Sequence, residues 1–385
     1  MNLTSGFNFN LPTTIQYGVG AVSTLGGLLS SKHAERVLIV TDKGIRRAGI
    51  IENVTGTLDR AGVKWEIYDE VEPNPKDYNV QNGAEIAAAV KADYLVAVGG
   101  GSPIDCAKAM AVVAVHKGAI RDYEGPENIP GDVLPIIAVP STAGSASEVT
   151  FSAVITDVAR KYKFSLRSTR IAPEVALCDP EMTVAMPAAL TAATGMDALT
   201  HAVEGYTALA SNALADAAAL HAIELISGNL KTAVADGSNM AARAGMLLGS
   251  ILGGIAFSHS DVASVHCIAE ALGGMYDAPH GVCNAVVLPE MMAYNMAYCR
   301  DKYARIAVAM GIYEDDPDAG ARKAVDAVRQ LAADINLPRF RDIGVREADV
   351  ERLAENSAIN GSNVDNPRPM AKADYVKVLR SMMNA

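Results

Sequence analysis

The sequence is poor in the residues that mark an exported or a nucleic-acid-binding protein. Its 385 residues include five cysteines, with no CxxC pair, and one tryptophan. An odd number of scattered cysteines argues for reduced thiols in a cytoplasmic protein rather than for a disulfide framework. Lys and Arg number 33 against 44 Asp and Glu, a formal net charge of -11. This acidity disfavours nucleic acid and anionic membranes as partners, because both demand clustered Lys and Arg.

The sequence is also poor in long apolar runs, and its first residues predict no secretory leader. The opening MNLTSGFNFNLPTT has neither a basic start nor an apolar core segment, so we expect no export. The longest uncharged apolar stretch, residues 244–257, is shorter than the ~20 residues of a membrane span, and we expect a buried helix there. Half of the residues are hydrophobic and a fifth are charged, which is typical of a globular enzyme acting on small molecules.

The two halves of the chain follow different hydrophobic patterns. Up to about residue 180, short β-branched runs alternate with helical patterns, which favours βαβ units around a parallel sheet. The predicted strands are residues 36–41, 64–68, 94–98 and 134–139. Beyond Pro187, stretches rich in Ala, Leu and Met have helical periodicity, as in residues 213–230 and 318–335. The sequence therefore predicts an α/β half followed by an all-α half.

The change of pattern near residues 182–187 sets the expected domain boundary. At ~150 residues per domain, the length allows two or three domains. We predict two. Residues 1–185 would form a dinucleotide-binding α/β domain, and residues 186–385 a helical domain for metal and substrate.

A glycine-rich segment, GGGSPIDCAK, follows the predicted strand 94–98 directly. Gly99, Gly100 and Gly101 allow a close backbone approach to a ligand, while Ser102 and Asp105 resemble a capping box. Amide groups at such a helix start, reinforced by the helix dipole, suit a pyrophosphate. The alternative is an ordinary tight turn between strand and helix.

The first predicted strand leads to Asp42, in TDKGIRR, and no G-x-G-x-x-G follows it. A carboxylate at this strand end could accept ribose hydroxyls and repel a 2′-phosphate, which favours NAD over NADP. The neighbouring Lys43, Arg46 and Arg47 could instead bind a phosphate. Asp42 could equally be a helix N-cap.

One carboxylate and three imidazoles form the most informative pattern. Asp197 and His201 are spaced i,i+4 in GMDALTHAVE, and His266 and His280 follow in VHCIAEALGGMYDAPHG. This donor set suits a divalent transition metal. Four protein ligands leave room for substrate only on a five- or six-coordinate ion, so iron(II) is favoured, with zinc, manganese, cobalt or nickel as alternatives. Asp197 and His201 could otherwise be a simple hydrogen-bonded helix pair.

These motifs, with STAGSASEVT, ATGMDALTHAVE, PHGVCNAVVLP, EPNP and DNPRP, resemble those of the group III iron-dependent alcohol dehydrogenases nearly end to end. The resemblance implies a Rossmann-like N-terminal domain, an all-helical C-terminal domain and a dehydroquinate synthase-like architecture. It implies that nicotinamide and metal meet in the cleft between the domains. It also implies a homodimer or a higher homo-oligomer.

The resemblance assigns roles to matching residues. Those matching Asp197, His201, His266 and His280 bind the metal in relatives. The family's glycine loop holds the pyrophosphate and its TAG-type loop lies along the cofactor, while the residue at Asp42 often selects NAD. The implied cofactor contacts are Gly99, Gly100, Gly101, Ser102, Thr142, Ser145 and Asp42.

Glu270 is the main departure from the family pattern. Many relatives carry histidine at this position, one helical turn after the residue matching His266. Glu270 should face the same way as His266. It could accept a hydrogen bond that orients His266, relay the alcohol proton, or recognise a polar or cationic substrate. It could also be an exposed helix glutamate. We take Glu270 and the metal ligand His280 as the catalytic candidates.

A second departure is FSHSDVASVH, where relatives show a plainer stretch. Phe257, His259 and Asp261 could line the substrate pocket there and make it more polar, or the segment could start a helix, with Ser258 or Ser260 as the cap. Phe151 and Ser362 occupy positions that shape the pocket in relatives.

These features predict an oxidoreductase that transfers hydride between NAD(H) and a short, polar alcohol or aldehyde. A metal would polarise the substrate oxygen while the nicotinamide carries the hydride. The alternative is a lyase like dehydroquinate synthase, which would use the same cofactor and metal without net redox change. A nucleotide-binding protein without catalysis is a third hypothesis.

Overall fold

The computed structural model describes residues 6–383. They form two compact units. Leu11–Met186 make up the α/β unit, and residues 187–383 with residues 6–10 make up the helical unit. Strands occur only in the α/β unit, within the part of the chain described. This arrangement confirms the predicted fold class.

The α/β unit is built on a six-stranded parallel sheet with the order β1-β9-β6-β4-β2-β3, and a small three-stranded sheet with the order β5-β8-β7. The strands are β1 Thr14–Tyr17, β2 Arg36–Val40, β3 Lys64–Tyr68, β4 Tyr94–Gly99, β5 Gly125–Pro126, β6 Ile136–Pro140, β7 Ser152–Asp157, β8 Tyr162–Arg167 and β9 Val175–Cys178. The helices are α1 Leu25–Ser31, α2 Lys43–Arg47, α3 Ile51–Ala61, α4 Asp77–Val90 and α5 Gly101–His116.

Both faces of the large sheet are buried. Along β2, Val37 and Ile39 join one hydrophobic cluster with α1 and α3. Leu38 and Val40 point the other way, into a second cluster with α4 and α5. A strand covered on both faces needs a continuous apolar run, which is why RVLIV was visible in the sequence.

Four strands were predicted close to their observed bounds, but five were not predicted. β1 and β9 pair in parallel at one side of the large sheet, and β1 is too short and too exposed to leave a clear pattern. β7 and β8 pair antiparallel, which departs from the expected βαβ alternation. The small sheet therefore interrupts the repeat on both sides of β6, with β5 before it and β7 and β8 after it.

The order of the central strands brings three predicted segments to one edge of the sheet. β4 lies between β2 and β6, with Gly99 in register with Pro140. The Ser141 amide donates to the Gly99 carbonyl at 2.8 Å, and the Thr41 hydroxyl donates to the Val98 carbonyl at 2.8 Å. In open parallel sheets, the carboxyl ends of neighbouring strands form the ligand-binding crevice.

The helical unit contains eight α-helices among the residues described. They are α6 Ala188–Thr207, α7 Ala213–Ala235, α8 Met240–Ser258, α9 Ser264–Tyr276, α10 His280–Ala309, α11 Pro317–Asp334, α12 Val350–Ile359 and α13 Lys372–Met383. Short 3₁₀ turns occupy Ala21–Thr24, Ile120–Tyr123, Ser147–Val149, Thr169–Ile171, Pro180–Thr183, Phe340–Ile343, Glu347–Asp349 and Gly361–Asp365.

The apolar stretch 244–257 lies in α8, which packs against α6 and α7. By length and composition alone this helix could cross a membrane, and it is the one such helix in the described chain. More than half of its apolar window is buried inside the protein. The core helices of globular proteins have the same character.

α6 is buried along most of its length, and the start of α10 packs against it. A Cβ at Gly281 would stand 2.5 Å from the carbonyl oxygen of Ala193. Only glycine allows the two backbones to come this close. This contact fixes the first turn of α10 against the face of α6 that carries Asp197.

Candidate metal centre and cofactor loop

One face of α6 carries three ionisable side chains. Asp197, His201 and Glu204 follow one another at intervals of four and three residues, so they project from the same side of the helix. All three are buried, at 4%, 5% and 4% exposure. Burying such groups is costly unless they are paired or bind a metal.

His266, from α9, and His280, the first residue of α10, complete a group that we name the Asp-His cluster: Asp197, His201, His266 and His280. The His201 and His266 rings stack with centroids 4.6 Å apart, and His266 and His280 lie 5.4 Å apart. His280 Nε2 is 3.7 Å from Asp197 Oδ1. The structure thus brings together the four side chains predicted as ligands.

The chemistry of this cluster fits a divalent transition metal. Ligand atoms of Asp197, His201 and His266 all lie within 4.8 Å of one another. An oxygen donor with imidazole nitrogens suits iron, zinc or manganese, and buried ligands hold such an ion firmly. The side chain of His280 is 29% exposed, so solvent reaches the cluster from its side.

The cluster keeps Asp197 ionised. Burial raises the pKa of Asp197, but the charges of His201, His280 and His266 and the Asn284 amide outweigh burial, so its pKa is lowered overall. Burial lowers the pKa of His266, but the Glu204 carboxylate, together with Asp197 and Glu270, outweighs burial, so its pKa is raised overall. A carboxylate that stays charged in a buried site is ready to bind a cation.

Glu204 was not predicted as a site residue. Its Oε2 accepts a 2.6 Å hydrogen bond from His266 Nδ1. This bond fixes the ring and leaves Nε2 as the metal-binding nitrogen. The hypothesis that Glu270 orients His266 was therefore wrong, because Glu204 already occupies that position. The sequence signal was a glutamate three residues after His201 on the same helix face.

Asn284 was also missed. It lies one turn after His280 on α10, and its Nδ2 donates to Asp197 Oδ1 at 2.6 Å. The same nitrogen is 3.0 Å from His266 Nε2 and 3.2 Å from His280 Nε2. The available signal was its i,i+4 spacing from His280.

Glu270 is half-buried and bonded rather than freely exposed. Its Oε2 accepts a 2.6 Å hydrogen bond from Asn360 Nδ2, just before the 3₁₀ turn Gly361–Asp365. In the same turn, the Ser362 hydroxyl donates to Asp261 Oδ1 at 2.9 Å. Glu270 and Ser362 thus belong to one polar region, in which this turn packs against the α9 side of the site.

Phe257 and His259, the two ring-bearing pocket candidates of the FSHSDVASVH segment, lie in different surroundings. The Phe257 ring stacks on His201 with centroids 4.3 Å apart, directly beside the Asp-His cluster. His259 instead stacks on Phe9 at 3.8 Å, donates from Nδ1 to the Ile255 carbonyl and accepts from the Asn10 amide. Its ring is occupied by packing against the N-terminal segment. These contacts account for the position of His259 without a ligand.

In the α/β unit, the glycine loop follows β4 as expected. Gly99 has φ +149°, and a Cβ there would lie 2.6 Å from the Pro103 ring. A Cβ on Gly100 would approach the Thr142 side chain at 3.2 Å, and one on Gly101 would approach Ser145 Oγ at 2.7 Å. The structure therefore places Thr142 and Ser145 against the glycine loop. Glycine at positions 100 and 101 leaves room for these two side chains.

The capping-box interpretation of this loop was wrong. α5 begins at Gly101, with Gly100 as the N-cap, so Ser102 is already inside the helix. Asp105 points to another partner: it accepts hydrogen bonds from the Ser147 hydroxyl and, at 3.0 Å, from the Val154 amide. The first amides of α5 are thus not capped by a side chain.

A buried lysine fastens the segment after β6 to α5. Lys108 Nζ donates to Ser147 Oγ at 3.0 Å, to Thr150 Oγ1 at 2.9 Å and to the Ser152 carbonyl at 2.8 Å. Burial lowers the pKa of Lys108 to about 8, against the opposing charge of Asp105. This network holds the segment that carries Thr142 and Ser145 beside the glycine loop.

Asp42 is the N-cap of α2. Its Oδ1 accepts hydrogen bonds from the Gly44 amide at 2.7 Å and the Ile45 amide at 3.0 Å. Lys43 and Arg46 form ion pairs with Glu70 and Asp69. Because Lys43 and Arg46 are already paired with carboxylates, they are less available to bind the 2′-phosphate of NADP. The pairing therefore favours NAD.

Phe151, the remaining pocket candidate, belongs to the α/β unit. It is half-buried, and the Arg167 guanidinium stands 5.8 Å from its ring centroid. This distance permits a cation–π contact. The contact accounts for the position of Phe151 without a ligand.

The α/β unit carries a glycine loop at the carboxyl end of β4, and the helical unit carries the Asp-His cluster. Together these two features define a class of enzyme that depends on a metal and a nucleotide. Comparison with known families agrees. Residues 12–180 match the family described as iron-containing alcohol dehydrogenase, and residues 191–383 match the C-terminal part of the Fe-containing alcohol dehydrogenase family. The chain belongs to the iron-containing alcohol dehydrogenase family.

Curated relatives cover the chain almost completely. A 1,3-propanediol dehydrogenase from Klebsiella pneumoniae is 42% identical, over 97% of this chain and 98% of its own. A lactaldehyde reductase from Escherichia coli (strain K12) is 40% identical, over 96% and 97%. An NAD-dependent methanol dehydrogenase from Bacillus methanolicus is 36% identical, over 98% and 100%.

Solved structures agree with this placement. A crystal structure of 1,3-propanediol oxidoreductase has a TM-score of 0.95 and 42% identity, covering 98% of this chain and 100% of that chain. An alcohol dehydrogenase from Oenococcus oeni has a TM-score of 0.95 and 35% identity over the same shares. The protein is an NAD-dependent oxidoreductase of short alcohols and aldehydes, in a family that uses iron(II). The lyase alternative has no support in these relatives.

Proposed function

We propose that the Asp-His cluster holds the catalytic divalent metal, most favourably iron(II). The helical unit would thus hold metal and substrate, and the α/β unit would bind the dinucleotide. The observation that carries the metal assignment is the convergence of the buried Asp197, His201 and His266, with the partly exposed His280 beside Asp197. The proposed NAD contacts are Asp42, Gly99, Gly100, Gly101, Ser102, Thr142 and Ser145.

The reaction is alcohol + NAD⁺ ⇌ aldehyde + NADH + H⁺. When bound, the metal supplies a Lewis acid that stabilises negative charge on the substrate oxygen near neutral pH. Asp197 would supply the anionic ligand, and Glu204 holds the His266 ring in place for the metal. The amides at the start of α5, which no side chain caps, would bind the cofactor phosphates. The helical unit would thus hold the metal that acts on the substrate oxygen, and the start of α5 would hold the cofactor.

We propose a short substrate with a second polar group. The support is the polar region beside α9, where Asn360 bonds Glu270 and Ser362 bonds Asp261. Phe257, stacked on His201, would provide an apolar surface beside the Asp-His cluster. A hydroxyl on the non-reacting end of the substrate can exchange hydrogen bonds with these side chains.

A direct assay tests this proposal. Purified protein, loaded with iron(II) without oxygen, is given NADH and one of propanal, 2-hydroxypropanal or 3-hydroxypropanal. NADH should be consumed in proportion to the aldehyde, and metal chelation should stop it. One added hydrogen bond should raise kcat/KM for a hydroxylated substrate about 10-fold over propanal. Equal values for all three would refute the polar-substrate proposal, and no consumption would refute the function.

Glu270→Gln is expected to change selectivity for substrate charge. Glutamine keeps an oxygen that can accept from Asn360 but removes the negative charge. An aldehyde that carries a carboxylate should gain about 5- to 10-fold in kcat/KM relative to propanal, because the repulsion by Glu270 is lost. Steady-state kinetics with both aldehydes measures this ratio.

The matched control is Glu355→Gln, which removes an exposed charge from α12, where Glu355 pairs with Lys372. It should leave the ratio unchanged. If Glu270→Gln lowers kcat for every substrate alike, Glu270 relays the proton rather than recognising charge. An unchanged ratio together with unchanged rates would remove Glu270 from the site.

We further propose a cytoplasmic homodimer or higher homo-oligomer with no membrane or nucleic-acid partner. All five cysteines are buried free thiols, which suits a reducing compartment. A cavity in the helical unit is bordered by Phe7, Leu209 and Tyr298, which are 50%, 62% and 60% exposed. Such apolar surface favours self-association. Light scattering of the purified protein tests the oligomeric state.

A further inference from the structure

Glu148 is a buried carboxyl group of the α/β unit that belongs neither to the proposed cofactor contacts nor to the Asp-His cluster. It lies in the 3₁₀ turn Ser147–Val149 and is 1% exposed. Its Oε1 is buried with no hydrogen-bond partner among residues 6–383. Such a group stays ionised only where donors or a cation hold its charge, because desolvation favours the neutral acid. The groups around Glu148 therefore decide its charge.

Lys108, on α5, is the cation whose charge acts on Glu148, but its N–H groups are already engaged. They donate to three oxygens of the segment after β6: Ser147 Oγ, Thr150 Oγ1 and the Ser152 carbonyl. A lysine ammonium has three N–H donors, so these bonds use all of them. The Ser147 hydroxyl in turn donates to Asp105. Lys108 and Asp105 thus form a charge-balanced pair bridged by a hydroxyl group, and a second carboxylate beside them would be in excess.

Of the two carboxyl groups, Glu148 is the one that holds a proton near neutral pH. Asp105 accepts hydrogen bonds from the Ser147 hydroxyl and the Val154 amide, which favour its ionised form, whereas Glu148 Oε1 accepts none. Burial raises the pKa of Glu148 to about 7, and its own backbone amide and the charge of Lys108 offset burial only in part. Glu148 can therefore change its charge in the neutral range.

The other elements packed against the turn add no charge that would hold Glu148 ionised. Besides α5, these elements are β6 and β9. β6 has no titratable side chain. β9 contributes the thiol of Cys178, whose pKa is raised well above its ordinary value by burial and then by Glu148, so the thiol stays neutral. Lys108 is thus the group that responds when Glu148 ionises.

Ser147 connects this network to the proposed cofactor contacts. Its amide donates to Ser145 Oγ at 3.3 Å, and a Cβ on Gly101 would stand 2.7 Å from the same oxygen. Between the two serines, Ala146 has φ 51°, a left-handed conformation that alanine keeps only where its surroundings hold it. The bonds from Lys108 hold the chain directly after Ala146. Loss of one of them would let the segment relax away from the glycine loop.

We propose that Glu148 is a positioning residue for the dinucleotide, which acts through Lys108 and depends on its own proton. Neutral Glu148 leaves all three N–H groups of Lys108 on the segment that carries Ser145. When the proton is lost to solvent, the new negative charge draws one N–H towards Glu148, so the segment loosens and the dinucleotide binds less tightly. The inference rests on the proposed dinucleotide site of the α/β unit. Because alcohol oxidation releases a proton, the cofactor is held most tightly at the acidic pH that favours aldehyde reduction.

Binding of ADP-ribose tests this without hydride transfer, because ADP-ribose lacks the nicotinamide ring. Its dissociation constant for the full-length, metal-loaded protein is measured by calorimetry from about pH 6 to about pH 8.5. The constant should rise about 5- to 10-fold over this range in the wild type, because one hydrogen bond of Lys108 is lost. Glu148→Gln keeps the shape of the neutral acid. It should bind at every pH as tightly as the wild type does at the acidic end.

Proton uptake is a second measurement, and it needs no variant. If ADP-ribose prefers the protein with neutral Glu148, its binding must take up protons at neutral pH. The binding enthalpy in two buffers with different heats of ionisation gives the number of protons. This uptake should disappear in Glu148→Gln. Should that variant fail to fold, the uptake by the wild type decides.

Asp157→Asn is the control, since Asp157 is a buried carboxylate of the same unit that pairs with Arg160. Burial raises the pKa of Asp157, but the hydrogen bonds and charge of Arg160 outweigh burial and lower it overall, so Asp157 is ionised throughout the range. The control should keep the pH dependence and the proton uptake of the wild type.

Wild-type affinity that is constant over this range, without proton uptake, would overturn the inference. A pH dependence that persists in Glu148→Gln would also overturn it, because the titrating group would then be Lys108 or Asp105. If the wild type binds no ADP-ribose at any pH, the proposed dinucleotide site itself fails.

Discussion

An Asp197→Ala variant is expected to purify without metal and to lose at least about 1,000-fold in kcat/KM, which corresponds to about 4 kcal/mol of transition-state stabilisation. Asp197 is the only carboxylate in the Asp-His cluster, and its pKa is held low by the three surrounding imidazoles. Without it, the cluster has no anionic ligand to offset the charge of a divalent ion. Elemental analysis and steady-state kinetics measure both losses.

The fold should survive this change, because alanine suits the interior of α6. Asp216→Ala is the matched control: Asp216 is a buried carboxylate of the same unit, and it accepts a hydrogen bond from Ser211 outside the cluster. We expect the control to lose stability but keep its metal. An Asp197→Ala protein with normal metal content would show that the cluster is not the metal site.

Part of this site could be predicted because its residues repeat along single helices. Asp197 and His201 are one helical turn apart. Two polar residues at this spacing are conspicuous because the rest of the segment is mostly apolar. His266 and His280 stood out because histidine is scarce, with seven in the chain. The glycine loop was visible for a similar reason: it follows an apolar strand directly. These residues could be predicted from their spacing along the chain and from the scarcity of their residue type.

The rest depends on contacts between distant segments, which local spacing does not contain. Glu204 accepts hydrogen bonds from the amides of Val265 and His266, which lie 61 and 62 positions further along the chain. The hydrogen bond from Asn360 to Glu270 joins residues that are 90 positions apart. His259 was misassigned because its partners, Phe9 and Asn10, lie at the other end of the sequence. A polar residue near a ligand motif is therefore ambiguous until the packing of the helices is known.

Glu204 joins the metal site to the stability of the fold. Its Oε1 accepts from the Val265 amide at 2.7 Å, and its Oε2 accepts from the His266 amide at 3.4 Å and from His266 Nδ1 at 2.6 Å. The N-cap residue of α9, Ala263, offers no side-chain cap. A carboxylate from α6 thus caps α9, where it also complements the helix dipole. The same group therefore fixes the helix start and the ring that the helix presents.

Glu204→Ala is accordingly expected to weaken metal binding about 10- to 100-fold and to lower the free energy of unfolding by about 2–4 kcal/mol. Two amides and one imidazole N–H would lose their buried acceptor. Glu204→Gln should keep an acceptor for the Val265 amide and most of the stability, while it loses the charge that holds His266. Chelator competition and urea unfolding of both variants would separate the two roles. If Glu204→Ala bound metal as tightly as the wild type, Glu204 would be only a helix cap; an intermediate affinity in Glu204→Gln would identify the carboxylate charge as the part that orients His266.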